Sequence, residues 1–405
     1  MISTANLRHA FRALKHRNFQ LFWAGQGTSV VGTWMQTTAQ SWLVYRLTSS
    51  PLVLGLLTVA RFGPSLVVAP LAGHVADRFP RRRTVILTQS ASLVLASILA
   101  FLSLTGRVRV EHVLVLALLQ GAVDSMDMTV RQTFQMDLVG AEDLHSAVSL
   151  NSAAFNSARI IGPAVAGVLI AKLGEGPCFA LNAASYLAVL VSLFLIRVPP
   201  AVARTIDRSM GEQIKAGMRY AWGTPAVRRV MLAIALTSMI GMSANTLTPA
   251  LARDVLHTAS QGYGRLLAGA GIGAILGALA AAGVSLSRHT AKVNTVTLGG
   301  LGLCLLGLGL VHSLSAAVAI MTLTGVMASV QLSTSNTYLQ TTAPPHLRGR
   351  VVSMYVWIFQ GATPLGGLAV GWLAQRAGIQ PAILAAGAAT LTGGAALGLG
   401  RRSGN

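Results

Sequence analysis

Acidic residues are scarce in this 405-residue chain: Asp and Glu together number 11, against 31 Lys and Arg. Charged residues of both signs make up 10% of the sequence and hydrophobic residues 53%. A soluble domain carries roughly a quarter charged residues, so an ordinary globular protein is excluded. Cysteine is nearly absent. The two present, Cys178 and Cys304, fall inside apolar stretches and read as small core side chains, not as a disulfide. Catalytic signatures are missing as well. Without H-E-x-x-H, G-x-S-x-G or G-x-x-x-x-G-K-S/T, the zinc-peptidase, common hydrolase and P-loop ATPase chemistries lack their required residues. The histidines lie mostly in loops at no ligand spacing, so no metal, no cofactor and no enzyme is expected.

What the chain has in abundance is long apolar sequence. Twelve stretches lie near 18–46, 51–75, 83–106, 110–135, 145–174, 176–196, 226–255, 261–286, 292–313, 314–341, 350–376 and 379–400. As helices these are long enough to cross a hydrocarbon core of about 30 Å, and several exceed the minimum, as tilted spans do. A cleaved signal peptide is not expected, because the first run is long and no small-residue cleavage site follows it.

A net charge of +20 raises the question of a nucleic-acid partner. The distribution of the charge answers it. With the N-terminus cytoplasmic, 22 of the 31 basic residues fall in loops on that side and six on the other, Arg46, Arg107, Arg109, Lys172, Arg253 and Arg376. This is the positive-inside pattern of a multi-pass plasma-membrane protein with both termini cytoplasmic. No nucleic acid is expected; membrane lipids are.

The longest hydrophilic stretch, 197–225, divides the spans six and six. Met210, Ile214, Met218 and Trp222 share one helical face there, with Lys215 and Arg219 placed toward headgroups, so an interfacial helix is expected in this linker. The expected domains are a six-helix bundle over 1–196 and another over 226–405. The halves also repeat at a spacing of 204 residues: "AVSL" (147–150) matches "VVSM" (351–354), and "AGVLIAKLG" (166–174) matches "VGWLAQRAG" (370–378). "GHVADRFPRRR" (73–83) has a worn counterpart in "GVSLSRHTAKV" (283–293). Repeated six-span halves suit a rocking, alternating-access transporter.

"GHVADRFPRRR" resembles the loop between the second and third helices of the major facilitator superfamily, with Pro80 replacing a glycine. "ARIIGPAVAG" (158–167) is similar to the fifth-helix motif of that superfamily's proton antiporters, carried here by Gly162, Pro163 and Gly167. "IKAGMRYAWGTPAVRRVML" (214–232) and "PHLRGRVVSMY" (345–355) resemble the linker and the tenth-to-eleventh loop of its drug-exporter branch, which includes enterobactin and macrolide exporters. One feature departs: Ala117 stands where that branch has a fourth-helix arginine. The resemblance implies an all-α fold of twelve transmembrane helices in two pseudo-symmetric bundles, acting as a monomer. It also implies a conformational latch of Gly73, Asp77, Arg78, Arg81, Arg82 and Asp137. In it Asp77 caps the helix starting near Val351, satisfying its N-terminal N–H groups, and Asp137 pairs with Arg81 or Arg82.

Charges inside the spans carry the remaining chemistry, since each costs about 3 kcal/mol on insertion scales and marks a functional site by default. Gln120, Asp124, Asp127, Arg131 and Gln135 are spaced 4, 3, 4 and 4, one stripe on one helical face. Arg61 and Arg159 lie deep in the second and fifth spans, at a depth where they could pair with Asp124. Asp124 or Asp127 is the expected proton carrier; the structural alternative is an Asp127–Arg131 pair. Gln26, Ser29, Thr33, Gln36 and Gln40 form a second polar stripe on the first span, expected to line a water-filled substrate cavity. Met242, Asn245 and Pro249, then Met327, Gln331, Thr334 and Tyr338, could face it, with Trp34 and Met35 adding apolar contacts. Few acids and many neutral polar groups suit an amphipathic substrate, and Arg61 and Arg159 would tolerate an anionic one. Small-residue ridges at Gly269, Gly273, Gly277 and at Ala158, Gly162, Ala166 are expected to seal the halves. Pro163 is expected to kink its helix. The expected function is proton-coupled export of small amphipathic compounds; the alternative is a lipid or lysolipid flippase, or a non-coupled facilitator.

Overall fold

The computed structural model describes residues 11–68, 72, 79–197, 218–283, 290–344 and 347–399. Apolar runs with few internal breakers become helices. They are α1 (Arg17–Thr48), α2 (Pro51–Phe62), α3 (Arg81–Leu104), α4 (Val110–Gly140), α5 (Glu142–Leu173) and α6 (Gly176–Leu195). After the linker come α7 (Pro225–Val255), α8 (Ser260–Gly283), α9 (Thr290–Leu310), α10 (Leu314–Thr342), α11 (Arg348–Ala377) and α12 (Ile379–Leu399). Helical hydrogen bonding runs from Val110 to Leu173, and what separates α4 from α5 is Gly140, at φ 73° and ψ 176°. Only glycine enters that region without a Cβ penalty.

Among the described residues ten of these helices are long and apolar enough to span a membrane, α2 with its continuation to Val68. The other two, α1 and α11, have the length, at 32 and 30 residues. Polar groups lower their mean hydropathy: the glutamine stripe in α1, and Arg348, Arg350, Gln360 and Arg376 in α11. A helix whose polar face meets protein needs no uniform apolar surface.

The chain forms two compact units, Met1–Leu47 with Gly63–Thr205, and Thr48–Phe62 with Ile206–Asn405. The first contains α1 and α3–α6. Its core joins Phe19, Phe22, Val85, Val130, Phe134 and Leu193, with the Phe22 and Phe134 rings edge to face at 5.9 Å. The second contains α7–α12, with a core of Val227, Val230, Ile234, Leu339 and Val351. It also claims α2, which the expected boundaries place in the first half. Glycine explains the difference. A Cβ on Gly55 would lie 2.7 Å from the Gly367 carbonyl, and one on Gly371 2.6 Å from the Pro51 carbonyl, so α2 and α11 meet backbone to backbone.

In α7 the regular helix stops at Leu236 and gives way to π turns at Thr237–Gly241 and Leu251–Val255, with a 3-10 turn at Ser243–Leu247 between them. Of the linker's expected interfacial face, Met218 and Trp222 are helical and exposed, while Met210, Ile214 and Lys215 lie outside the described residues.

Candidate functional site

A polar seam joins α3 to α4 inside the first unit. Asp127, 5% exposed, uses both carboxylate oxygens. One accepts hydrogen bonds from Thr88 Oγ1 at 2.7 Å and Gln89 Nε2 at 2.9 Å. The other lies 3.3 Å from Arg131 Nε, one turn along the same helix. Asp124 is only partly buried and accepts from Gln120 Nε2 at 2.7 Å; the same amide donates to Ser92 Oγ at 2.9 Å. The side-chain carbonyls of Gln89 and Gln120 are buried with no hydrogen-bond donor among the described residues. Thr88, Gln89 and Ser92 escaped the reading of the sequence. Their signal was there, as polar residues at Thr84, Thr88 and Ser92 recur every fourth position through an apolar span.

Arg159 does not pair with Asp124, and it forms no ion pair or hydrogen bond among the described residues. Its guanidinium carbon instead sits 5.8 Å from the centre of the Trp34 ring. A Cβ on Gly162 would lie 2.6 Å from Trp34 Cβ, so this glycine sets how closely α5 approaches α1. Pro163 and Gly167 follow it, buried within α5. Arg61 lies at the end of α2, in the second unit.

The α1 stripe is largely turned into the first unit. Gln26, Ser29, Gln36 and Gln40 are buried, and Gln36 accepts from Asn182 Nδ2 of α6 at 2.8 Å. Gly25 and Gly32 bring α1 against Ser192, Asn182 and Ser185, which is why this face meets α6. Gln36 thus makes a helix-to-helix bond. Thr33, partly exposed, donates to the Ser29 carbonyl of its own helix at 3.0 Å.

In the second unit the Thr237 hydroxyl, in the first π turn, bonds Gln331 Oε1, while Gln331 Nε2 is buried without a partner among the described residues. Asn245 lies in the 3-10 turn, partly buried. Tyr338 lines a cavity of about 170 Å³ with Arg229, Asn294 and Thr295, between α7, α9 and α10.

Of the expected latch, Gly73, Asp77 and Arg78 lie outside the described residues. Arg81 Nη1 is 2.7 Å from Asp137 Oδ1. Arg82 does something else: it donates to the Leu193 and Phe194 carbonyls at 2.9 and 3.3 Å, a cation on the C-terminal end of the α6 dipole. Nearby, Arg12 and His16 both reach Asp143 just past Gly140, at 3.0 and 2.8 Å. Far along the same helices, Arg46 grips Glu175 through two bonds of 2.8 and 3.1 Å.

Both small-residue ridges pack within a unit. Gly269, Gly273 and Gly277 of α8 meet Val318, Thr322 and Val326 of α10, and Gly162 of α5 meets α1.

A buried carboxylate on one membrane helix, an arginine over a tryptophan ring on another and close glycine packing describe a polytopic membrane protein with charge inside its spans. A family model for transmembrane secretion effectors matches residues 8–401. The chain belongs to that family, within the major facilitator superfamily. It is a multi-pass membrane transporter, not an enzyme. This transporter is 29% identical over 375 residues to the multidrug efflux pump Tap of Mycolicibacterium fortuitum, covering 89% of this chain and 88% of that one. It is 27% identical over 353 residues to the staphyloferrin A transporter of Staphylococcus aureus, covering 86% and 87%. The crystal structure of the nucleoside transporter NupG shares its fold, with a TM-score of 0.78 at 12% identity, over 94% of this chain and 98% of that one.

Proposed function

We propose that this transporter is a proton-coupled exporter of small amphipathic compounds of drug or siderophore type, working by alternating access in the plasma membrane with both termini cytoplasmic. Its similarity to a multidrug efflux pump and a siderophore transporter supports the substrate class. The observation that carries the coupling is the difference in burial between two carboxylates one turn apart. Asp127 is buried and contacted by three donors, which fixes its geometry. Asp124 is partly exposed, and the Gln120 amide is one of its contacts. A group whose surroundings can change between conformations can change its proton affinity. Asp124 is thus the proton carrier, with Asp127 and Arg131 as its structural support. The unpaired carbonyls of Gln89 and Gln120 suit water molecules feeding that site.

The transport cycle rocks the halves 1–196 and 226–405 about the linker 197–225, with the loop 73–83 as latch.

Inverted vesicles holding a proton gradient test this reading. A panel of amphipathic dyes, antibiotics and siderophores is added while internal pH is followed. Compound-triggered proton release by the wild type, absent in Asp124→Asn, is the expected result. Equal release by both variants would clear Asp124 of the role. No release with any compound would defeat the exporter reading and favour the lipid flippase or non-coupled facilitator.

A further inference from the structure

We propose that Trp34, Phe155 and Arg159 form a binding site for an aromatic anion, an arene carrying a carboxylate or an equally acidic group. The inference rests on the exporter reading only in taking this ligand for a transported one. The three side chains belong to one unit and meet because of one small residue. Phe155, Arg159 and Gly162 recur at steps of four and three on α5, so they share a face. Gly162 lies against Trp34 and Met35, which draws that face onto α1. Trp34 then lies between two neighbours: the Phe155 ring, edge to face at 5.6 Å, and the Arg159 guanidinium at 5.8 Å.

Arg159 is the residue that asks for a ligand. A guanidinium offers five N–H donors and cannot be neutralised at any physiological pH. Within a membrane span such a group pairs with an acid or marks a substrate path. Among the described residues no acid and no hydrogen-bond acceptor meets it; the Trp34 ring steadies the cation through its face and leaves the N–H donors unused. This differs from the other intramembrane arginine of the same unit, Arg131, which rests on Asp127. Geometry supplies the second half of the ligand. Phe155 is 50% exposed and Trp34 partly so, giving an aromatic surface one turn from the cation. A flat ring stacked there places an acidic substituent on Arg159, where a planar fork binds a carboxylate through two bonds.

The probes are anthracene-9-carboxylate and 9-(aminomethyl)anthracene, which share a ring system and differ in the sign of charge. Binding is measured on the full chain in nanodiscs, and transport in proteoliposomes. The wild type is expected to bind the acid about tenfold or more tighter than the amine. Arg159→Gln should abolish that preference, and Arg159→Lys should keep part of it by restoring charge without the fork. Phe155→Leu, which leaves the cation in place, should weaken acid and amine alike, and it covers the case in which Arg159→Gln does not fold. Equal affinity for the two probes, or an acid preference that survives Arg159→Gln, would overturn the proposal. If amphipathic cations are exported while the acid neither binds nor moves, the anion site fails and the exporter reading stands. If the acid binds through Arg159 and no compound moves at all, the site stands and the exporter reading fails.

Discussion

The fourth and tenth helices hold matching places in the 204-residue repeat, Asp127 aligning with Gln331 and Gly121 with Gly325, yet different chemistry holds each in its unit. In the first unit α4 is joined to α3 by side chains: Thr88, Gln89 and Ser92 reach across to Asp127 and Gln120. In the second, α10 is joined to α8 by bare backbone, Gly273 and Gly277 lying against carbonyls of Thr322 and Val326, and Gly325 against Ala270. The difference follows from charge. A buried carboxylate must be surrounded by donors, and donors need side chains with room to orient. A glycine seam has no such room and gains instead from close dispersion contact. The α3–α4 seam therefore holds a buried carboxylate, while the α8–α10 seam is close backbone packing.

If that contrast holds, the largest effect comes from emptying the polar seam. Asp127→Leu leaves Arg131 and Gln89 without the carboxylate they meet, while Thr88 keeps the Val85 carbonyl, and removing one partner of a buried pair costs about 3–5 kcal/mol. Thermal unfolding in detergent, followed through thiol labelling of the buried Cys178, should show the largest loss of stability of any variant here. A small loss would mean the seam is wetter than its geometry indicates.

Filling the glycine seam ranks second. Gly273→Val drives a side chain into the Thr322 carbonyl, and overpacking of this kind costs about 1–3 kcal/mol. Gly27→Ala is the control: a Cβ there meets nothing within 4 Å, and labelling rates should not change. A Gly273→Val protein as stable as the Gly27 variant would break the comparison.

Gln331→Leu sharpens it. The change leaves the Thr237 hydroxyl without its partner but also removes a buried, unpaired amide N–H₂, so stability should change by no more than about 1 kcal/mol. The repeat-equivalent pair thus separates, with a severe loss at Asp127 and a mild one at Gln331. Last comes Arg46→Lys. Its side chain is 51% exposed while Glu175 is 6% exposed, and exchanging a two-bond fork for a single ammonium should cost under about 1 kcal/mol. Raising the salt concentration should shrink even that difference.

Much of this was legible in the chain. Apolar length determined the spans, because a segment must satisfy its own backbone in lipid and a helix of about 20 residues is the short way to do so. Charge spacing determined that Asp124, Asp127 and Arg131 share a face, since that is a property of one helix. What a face meets was not legible. Gln36 of α1 meets Asn182 of α6, the α8 glycines are taken up by α10, and α2 packs with the second unit through Gly55 and Gly367. Arg82 pairs with backbone carbonyls and Arg159 with a tryptophan, where charge alone suggested carboxylates. The physical reason is the same each time. Periodicity within a helix is local and can be counted along the sequence, whereas the partner of a face depends on which other helix, hundreds of residues away, has the small residues that let it come close. Tertiary packing alone decided that, and with it which arginine is left with donors to offer.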